Sequence, residues 1–263
     1  MNRDASMKNI KHLQEVLMNS WPAHHYYFFK GWILRFTSGI TDRANSVFPI
    51  NYTGNQDTIN EDLDYVEKAY KAFNLPTIFT IPENHEPYNL DIKLRARGYQ
   101  QMGFSTNTMI IPIENINNHY KNEEFSYTSY PNRVEEFASF LAKYSKRDVN
   151  AQRELVQLSN RIIIPLKSFI VAKYEGSVIG TLMGVLDHYH YLYIADVFIK
   201  PNFRHRNIAS SLFYEVVKKL GIPNKAQLIW LQVESDNESA MNLYTKLRMK
   251  KLYSYYYLKK LDS

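Results

Sequence analysis

The stretch Asp196–Leu212, DVFIKPNFRHRNIASSL, decides the fold. A β-rich run ends at Ile199, and Pro201, which has no N–H for a ladder, stops it. Arg204–Ala209 then leads into a segment with Ile208, Leu212, Val216 and Leu220 spaced by four, which predicts an amphipathic helix over Ile208–Leu220. The geometry is strand, basic turn, helix N-terminus. The first helical N–H groups, those of Ile208, Ala209 and Ser210, have no intrahelical acceptor and stand at the positive end of the helix dipole. Arg204, His205 and Arg206 add charge at the same place, which makes a cradle for a pyrophosphate. The alternative is a solvated basic turn that merely joins strand to helix.

Around this stretch the pattern predicts helices over Val134–Ser145 and Ala151–Arg161 and strands over Phe125–Tyr130, Lys167–Lys173, Val178–Leu186 and Tyr191–Ile199. Beyond it come a strand, Gln227–Val233, a helix, Glu238–Leu247, and a closing strand, Lys251–Lys259. That order is an α/β (α+β) mixed sheet, antiparallel at first and parallel at the strand–helix–strand crossover. The polar, Asn-rich run Glu114–Glu124 reads as a linker after a β-like run at Thr108–Ile113. It divides the chain into a domain of residues 1–118 and one of 119–263.

The first part repeats the ending of the second at an offset of 150 residues. Pro76–Ile81 matches Ala226–Leu231, Leu94–Gly98 matches Tyr244–Arg248, and the helical pattern Glu61–Phe73 precedes the Ile208 helix by about the same interval. A constant offset across three elements predicts a duplicated domain.

Composition narrows the function. With 0 Cys among 263 residues there is no disulfide scaffold, thiolate nucleophile or cysteine metal site, which suits a reducing cytoplasm. No apolar run approaches a membrane span, and MNRDASMKNIKHLQ carries no apolar stretch of a signal peptide. The net charge of +6 is uneven: residues 1–123 carry 12 basic and 13 acidic side chains, residues 124–263 carry 20 and 13. A basic second half suits an anionic ligand. Its Lys and Arg residues are scattered and form no nucleic-acid motif, so neither nucleic acid nor membrane is the expected partner. His24-His25 and His188-x-His190 lack a third ligand in register, and no metal is expected.

The segment Arg204-His205-Arg206-Asn207-Ile208-Ala209 resembles the acyl-CoA signature of the GNAT superfamily of N-acetyltransferases: Arg or Gln, two residues, Gly, one residue, then Gly or Ala at a helix start. Ile199-Lys200-Pro201 is similar to the family's Val-x-Pro before the turn. Asn207 replaces the middle Gly, and Asn tolerates positive φ better than other side chains. Downstream, Asn237-Glu238-Ser239-Ala240 and Leu243-Tyr244 match the family's Asn-x-x-Ala and Leu-Tyr, while its Gly-Phe reads Arg248-Met249. The first half resembles the partner domain of two-domain members. Its equivalent turn, Gly54–Ile59, holds no Lys or Arg and carries Asp57, so it is expected to be degenerate for cofactor.

The resemblance implies two GNAT-like domains and acetyl-CoA-dependent transfer to a primary amine of a small molecule or peptide. It implies pantetheine pairing with the backbone of Val197, Phe198 and Ile199, phosphates on residues 204–210, Asn237 on the pantetheine arm, and Tyr244 as general acid to the leaving thiolate. The base stays open. Strand parity puts Tyr193, Ala195 and Val197 on the substrate face, and none is acidic. Asp196 faces away unless a bulge rotates it. Glu234 ends the next strand, and His188 or His190 would act through water, as would a relay with no dedicated base. A non-catalytic acyl-CoA-binding module is the alternative function. An RNA-binding basic patch is a third. The acceptor and the oligomeric state are not readable.

Overall fold

The computed structural model describes residues 3–39, 41–116, 121–132, 135–144 and 149–260. They fall into two compact units. One gathers the chain up to Asn107, Glu234–Asp236 and everything from Tyr253 on; the other holds Thr108–Val233 and Asn237–Leu252.

In the first unit, α1 (Arg3–Ser20) precedes a hairpin of β1 (His25–Phe29) and β2 (Trp32–Phe36). Lys30 and Gly31, at φ 47° and 82°, supply the two left-handed residues that a tight hairpin turn needs. β2 pairs antiparallel with β3 (Val47–Phe48), and β3 pairs parallel with β4 (Ile78–Pro82) across α2 (Ile59–Ala72). Alternate residues of β2, Trp32, Leu34 and Phe36, pack with Ile59, Leu63, Val66 and Tyr70 of α2. α3 (Leu90–Ala96) and the long β5 (Tyr99–Pro112) follow.

In the second unit, β6 (Ser126–Tyr130), α4 (Glu135–Tyr144), α5 (Val149–Asn160), β7 (Lys167–Tyr174), β8 (Ser177–Leu186) and β9 (Tyr191–Ile199) come first. α6 (Ile208–Val216), β10 (Leu228–Glu234) and α7 (Glu238–Lys246) follow, and β11 (Lys250–Lys260) begins in this unit, its residues from Tyr253 on belonging to the first. β6, β7, β8 and β9 pair antiparallel in sequence order, and β10 pairs parallel with β9. α6 lies on the sheet where Gly184 lets it approach: a Cβ there would stand 2.4 Å from Val216 Cγ2. Ile208, Leu212 and Val216 are buried on that face, each stabilising by about 2 kcal/mol.

The fold class is as expected: mixed sheets flanked by helices, with the 150-residue repeat visible as β4 against β10, α2 against α6 and α3 against α7. Three details differ. The helix from Ile208 does not stay α-helical to Leu220; after Val216 it widens, the Ile222 N–H bonding the Val217 carbonyl five residues back at 2.8 Å while Leu220 stays buried. β5 begins at Tyr99, nine residues before the expected run, because exposed Gln100–Phe104 hides the alternation that marks a strand. The polar run Glu114–Glu124 is not all linker: residues 117–120 lie outside the described residues, but Lys121–Glu124 is bonded to α6.

Closing strands also cross the sequence division. Leu258 of β11 is buried in the core of the first unit, and Tyr255–Lys259 pairs with Pro82–Ile78 of β4. Met109 and Ile111 of β5 are buried in the core of the second. The packing therefore divides at 107/108 and returns Tyr253 onward to the first unit, whereas the sequence pattern places the division at 118/119.

Candidate active site

The strand–turn–helix of residues 191–216 is built as the sequence predicts. β9 ends at Ile199, Pro201–Phe203 makes one 3-10 turn, and α6 starts at Ile208. Asn207 is the N-cap, at φ 59°, so it holds the left-handed conformation that its replacement of glycine requires. His205 is left-handed too, at φ 62°. The first helical bond is donated by Ser211 N–H to the Asn207 carbonyl at 3.0 Å, which leaves the N–H groups of Ile208, Ala209 and Ser210 ahead of it at the helix mouth. Arg204 and Arg206 are exposed on this turn. Arg204 donates from Nε to the Ile199 carbonyl at 3.3 Å and stacks over Phe198; Arg206 stacks over Phe203.

β9 and β10 run parallel only from Tyr191/Leu228 to Ile194/Leu231. Beyond that, Ala195–Ile199 continues along β8 alone, with Phe198 opposite Thr181 and Ile199 opposite Gly180. Among the described residues, the β10 side of Val197–Ile199 therefore has no strand register. A β-bulge lies at the same place: the partners step from Ala195/Met183 to Phe198/Thr181, so β9 spends three residues where β8 spends two. Asp196, at φ 51°, sits in it.

The bulge corrects the strand parity. Tyr193 and Ala195 stay on one face, but Val197 turns to the α6 side, where it packs with Ile199 against the core. Phe198 takes the opposite face, its ring 5.9 Å from that of Phe140 on α4. Asp196 thus stands in the bulge, out of simple alternation.

Tyr244 lies on α7, 7% exposed, its ring 5.9 Å from Phe213. Burial, with a smaller effect from the neighbouring Tyr193 phenol, pushes its pKa well above the ordinary tyrosine value, so it stays protonated throughout the neutral range. Asn237 caps α7, its side-chain oxygen accepting the Ala240 N–H at 3.1 Å. Its amide NH2 and the oxygen's second lone pair are left for a ligand. Glu234 closes β10, exposed; beside it the Ser235 N–H donates to the Ser105 carbonyl at 2.8 Å. His190 lies before the first residue of β9, bonding Asn224 O at 3.2 Å. Six residues of strand, about 20 Å, separate it from Asp196. Among the described residues no group of three His, Cys, Asp or Glu is placed to hold a metal, and no helix is long and apolar enough to cross a membrane.

The equivalent turn of the first unit is filled by its own side chains. A Cβ on Gly54 would stand 2.5 Å from the Tyr52 ring. The Tyr52 hydroxyl donates to Asp62 at 2.6 Å, and Lys30 pairs with the same carboxylate at 2.5 Å.

Sequence reasoning missed a second layer under the second-unit turn. The Asn122 N–H donates to Ser211 Oγ at 2.9 Å, its side-chain amide donates to the Arg206 carbonyl at 3.1 Å, and Glu124 pairs with Arg206 at 3.6 Å. Nothing in a polar, Asn-rich run signals such contacts.

Comparison with known proteins agrees with this geometry. Residues 132–248 match the model of the acetyltransferase (GNAT) family, and residues 7–162, more than half the chain, match that described as probable histone acetyltransferase Rv0428c C-terminal. The chain is 24% identical over 258 residues to the uncharacterized N-acetyltransferase YobR of Bacillus subtilis, covering 95% of this chain and 98% of that one. Among solved structures it is similar to a GCN5-related N-acetyltransferase from Kribbella flavida, with TM-score 0.71 and 12% identity over 98% of this chain and 96% of that one. It is also similar to a tandem GNAT protein from the clavulanic acid biosynthesis pathway, with TM-score 0.65 and 10% identity over 100% and 97%. The chain belongs to the GNAT superfamily of acetyltransferases, and its fold is similar to that of a tandem member. It is a GNAT-type N-acetyltransferase.

Proposed function

We propose that the second unit binds acetyl-CoA and transfers its acetyl group directly to a primary amine of a small molecule or peptide. The observation that carries this reading is the left-handed Asn207 turn, with helical N–H groups and two exposed arginines at one helix mouth. That donor set fits a pyrophosphate: preorganised N–H dipoles supply geometry and the guanidiniums supply charge. The β10-facing edge of Val197–Ile199 supports the pantetheine arm, since its backbone groups suit an extended amide chain. An N–H on that edge then stands as donor to the thioester oxygen as it gains charge.

The amine nitrogen attacks the carbonyl, the C–S bond breaks, and the Tyr244 hydroxyl hands its proton to the departing sulfur. The amine must lose a proton. Asp196 is the favoured acceptor, directly or through water, because the bulge lifts it out of strand alternation; Glu234 is the second. Asn237 contributes its amide NH2 to the pantetheine arm. With no cysteine in the chain, no thiol carries the acetyl group between steps. The first unit, its turn filled by Tyr52, shapes the enzyme without holding a second cofactor.

Calorimetric titration of acetyl-CoA and free CoA into wild type and Arg204→Ala/Arg206→Ala tests the reading, followed by a thiol-release screen of amines. Micromolar binding that is lost in the double variant is expected. A folded wild type that binds neither ligand overturns the proposal. Binding without turnover on any amine favours a non-catalytic acyl-CoA module.

A further inference from the structure

The segment Lys121–Tyr127 is a strap along the outside of the cofactor turn. Lys121 pairs with the buried carboxylate of Glu215 at 3.7 Å, and Tyr127 donates from its hydroxyl to the Asn122 carbonyl at 3.3 Å. Phe125 is buried and meets Phe203 at 6.3 Å between ring centroids. Lys121 and Phe125 anchor the segment against α6 and the 3-10 turn, and the Tyr127 bond closes the segment on itself. Between the anchors, the side-chain oxygen of Asn122 accepts the Glu124 N–H at 3.0 Å, which fixes where the Glu124 side chain departs. That carboxylate stands 3.6 Å from Arg206 Nη1, both groups about half exposed.

Resting on the acetyl-CoA reading above, we infer that Glu124 is an affinity-setting residue that occupies Arg206 in the free enzyme and yields it to the phosphates of the bound co-substrate. The chemistry is competition between two anions for one guanidinium. A carboxylate and a phosphate oxygen seek the same fork of N–H donors, and the phosphate carries the greater charge. Binding therefore breaks one exposed ion pair and leaves Glu124 beside a polyanion. Asn122 is the positioning residue of the pair. Its amide holds the Arg206 carbonyl, turning that peptide so that its oxygen points at the strap. Glu124 thus weakens binding, speeds release of free CoA, and keeps the cradle selective for a ligand charged enough to displace it.

The test is a calorimetric cycle on the full chain with Glu124→Gln, Arg206→Gln and the double variant, titrated with acetyl-CoA and with acetyl-pantetheine, which lacks every phosphate. Glu124→Gln is expected to bind acetyl-CoA about fivefold more tightly at low salt, the gain fading as salt screens it. The gain should vanish in the Arg206→Gln background and be absent with acetyl-pantetheine. A purely structural role for Glu124 would affect both ligands alike. Unchanged or weaker acetyl-CoA binding by Glu124→Gln, with wild type still binding, overturns the inference alone. Failure of wild type to bind acetyl-CoA overturns it together with the cofactor reading.

Discussion

The hydroxyl of Thr181 donates to the backbone carbonyl of Asp196 at 3.1 Å, across the place where β8 and β9 lose register. Thr181 is fully buried, so this bond has no water to replace it. It pins the bulge that ends pairing with β10 and re-aims Val197 and Phe198. Thr181→Val keeps the shape and removes the donor. Denaturant melts should show a loss of about 1 kcal/mol, and thiol-release kinetics a fall in kcat/KM for acetyl-CoA larger than that loss explains. Unchanged kcat/KM would separate the bulge from the site.

Tyr244→Phe removes the proton donor without altering the buried ring. Its kcat should fall by about a hundredfold while acetyl-CoA affinity changes little. Because burial and then Tyr193 hold the phenol above its ordinary value, the wild-type rate profile should show no alkaline limb from Tyr244 up to about pH 10. A limb near pH 8 that disappears in Tyr244→Phe would contradict this.

Asn207 tests the turn by backbone alone. At φ 59° glycine is at ease and a β-branched residue is not. Asn207→Gly should leave stability within about 0.5 kcal/mol and acetyl-CoA binding intact, whereas Asn207→Val should cost about 1–3 kcal/mol. Equal melting behaviour of the two variants would mean that the turn adopts another conformation.

Leu258→Ala leaves a cavity in the core of the first unit, where Leu258 is fully buried. A loss of about 2–5 kcal/mol is expected, with hydrogen exchange accelerated in β4 and β2. A fragment of residues 119–263 lacks Met109 and Ile111 from the second core. It should melt without cooperativity, and a sharp transition would show that β5 is dispensable.

Much of this was legible from residues alone. Periodicity found β9, α6, β10 and α7 to within a residue or two, apart from the wide turn that ends α6, because each buries one face of a regular element. Asn207 announced its left-handed backbone by being asparagine where the motif has glycine. The bulge was not legible: one extra residue in a strand leaves the apolar pattern of Tyr191–Ile199 unchanged, yet it reverses Val197. Nor was the strap, since Asn122 and Glu124 work through one backbone N–H and exposed polar groups that no hydrophobic pattern records. The destination of β11 was hidden for a third reason. Alternation puts Tyr253 and Tyr255 on one face of the strand and Leu258 on the other, but does not say which core either face meets.

The closing of β4 by β11 sets an order of events during synthesis. At ordinary ribosomal speed the nearly 150 residues between Asn107 and Tyr253 take on the order of ten seconds to make. Throughout that interval the nascent first unit presents the open edge of β4, whose five residues are all buried in the finished protein. An unpaired apolar edge invites pairing with other chains. The first unit therefore reaches its native state only after β11 has been made, and a chain that stops short of Tyr253 leaves it incomplete.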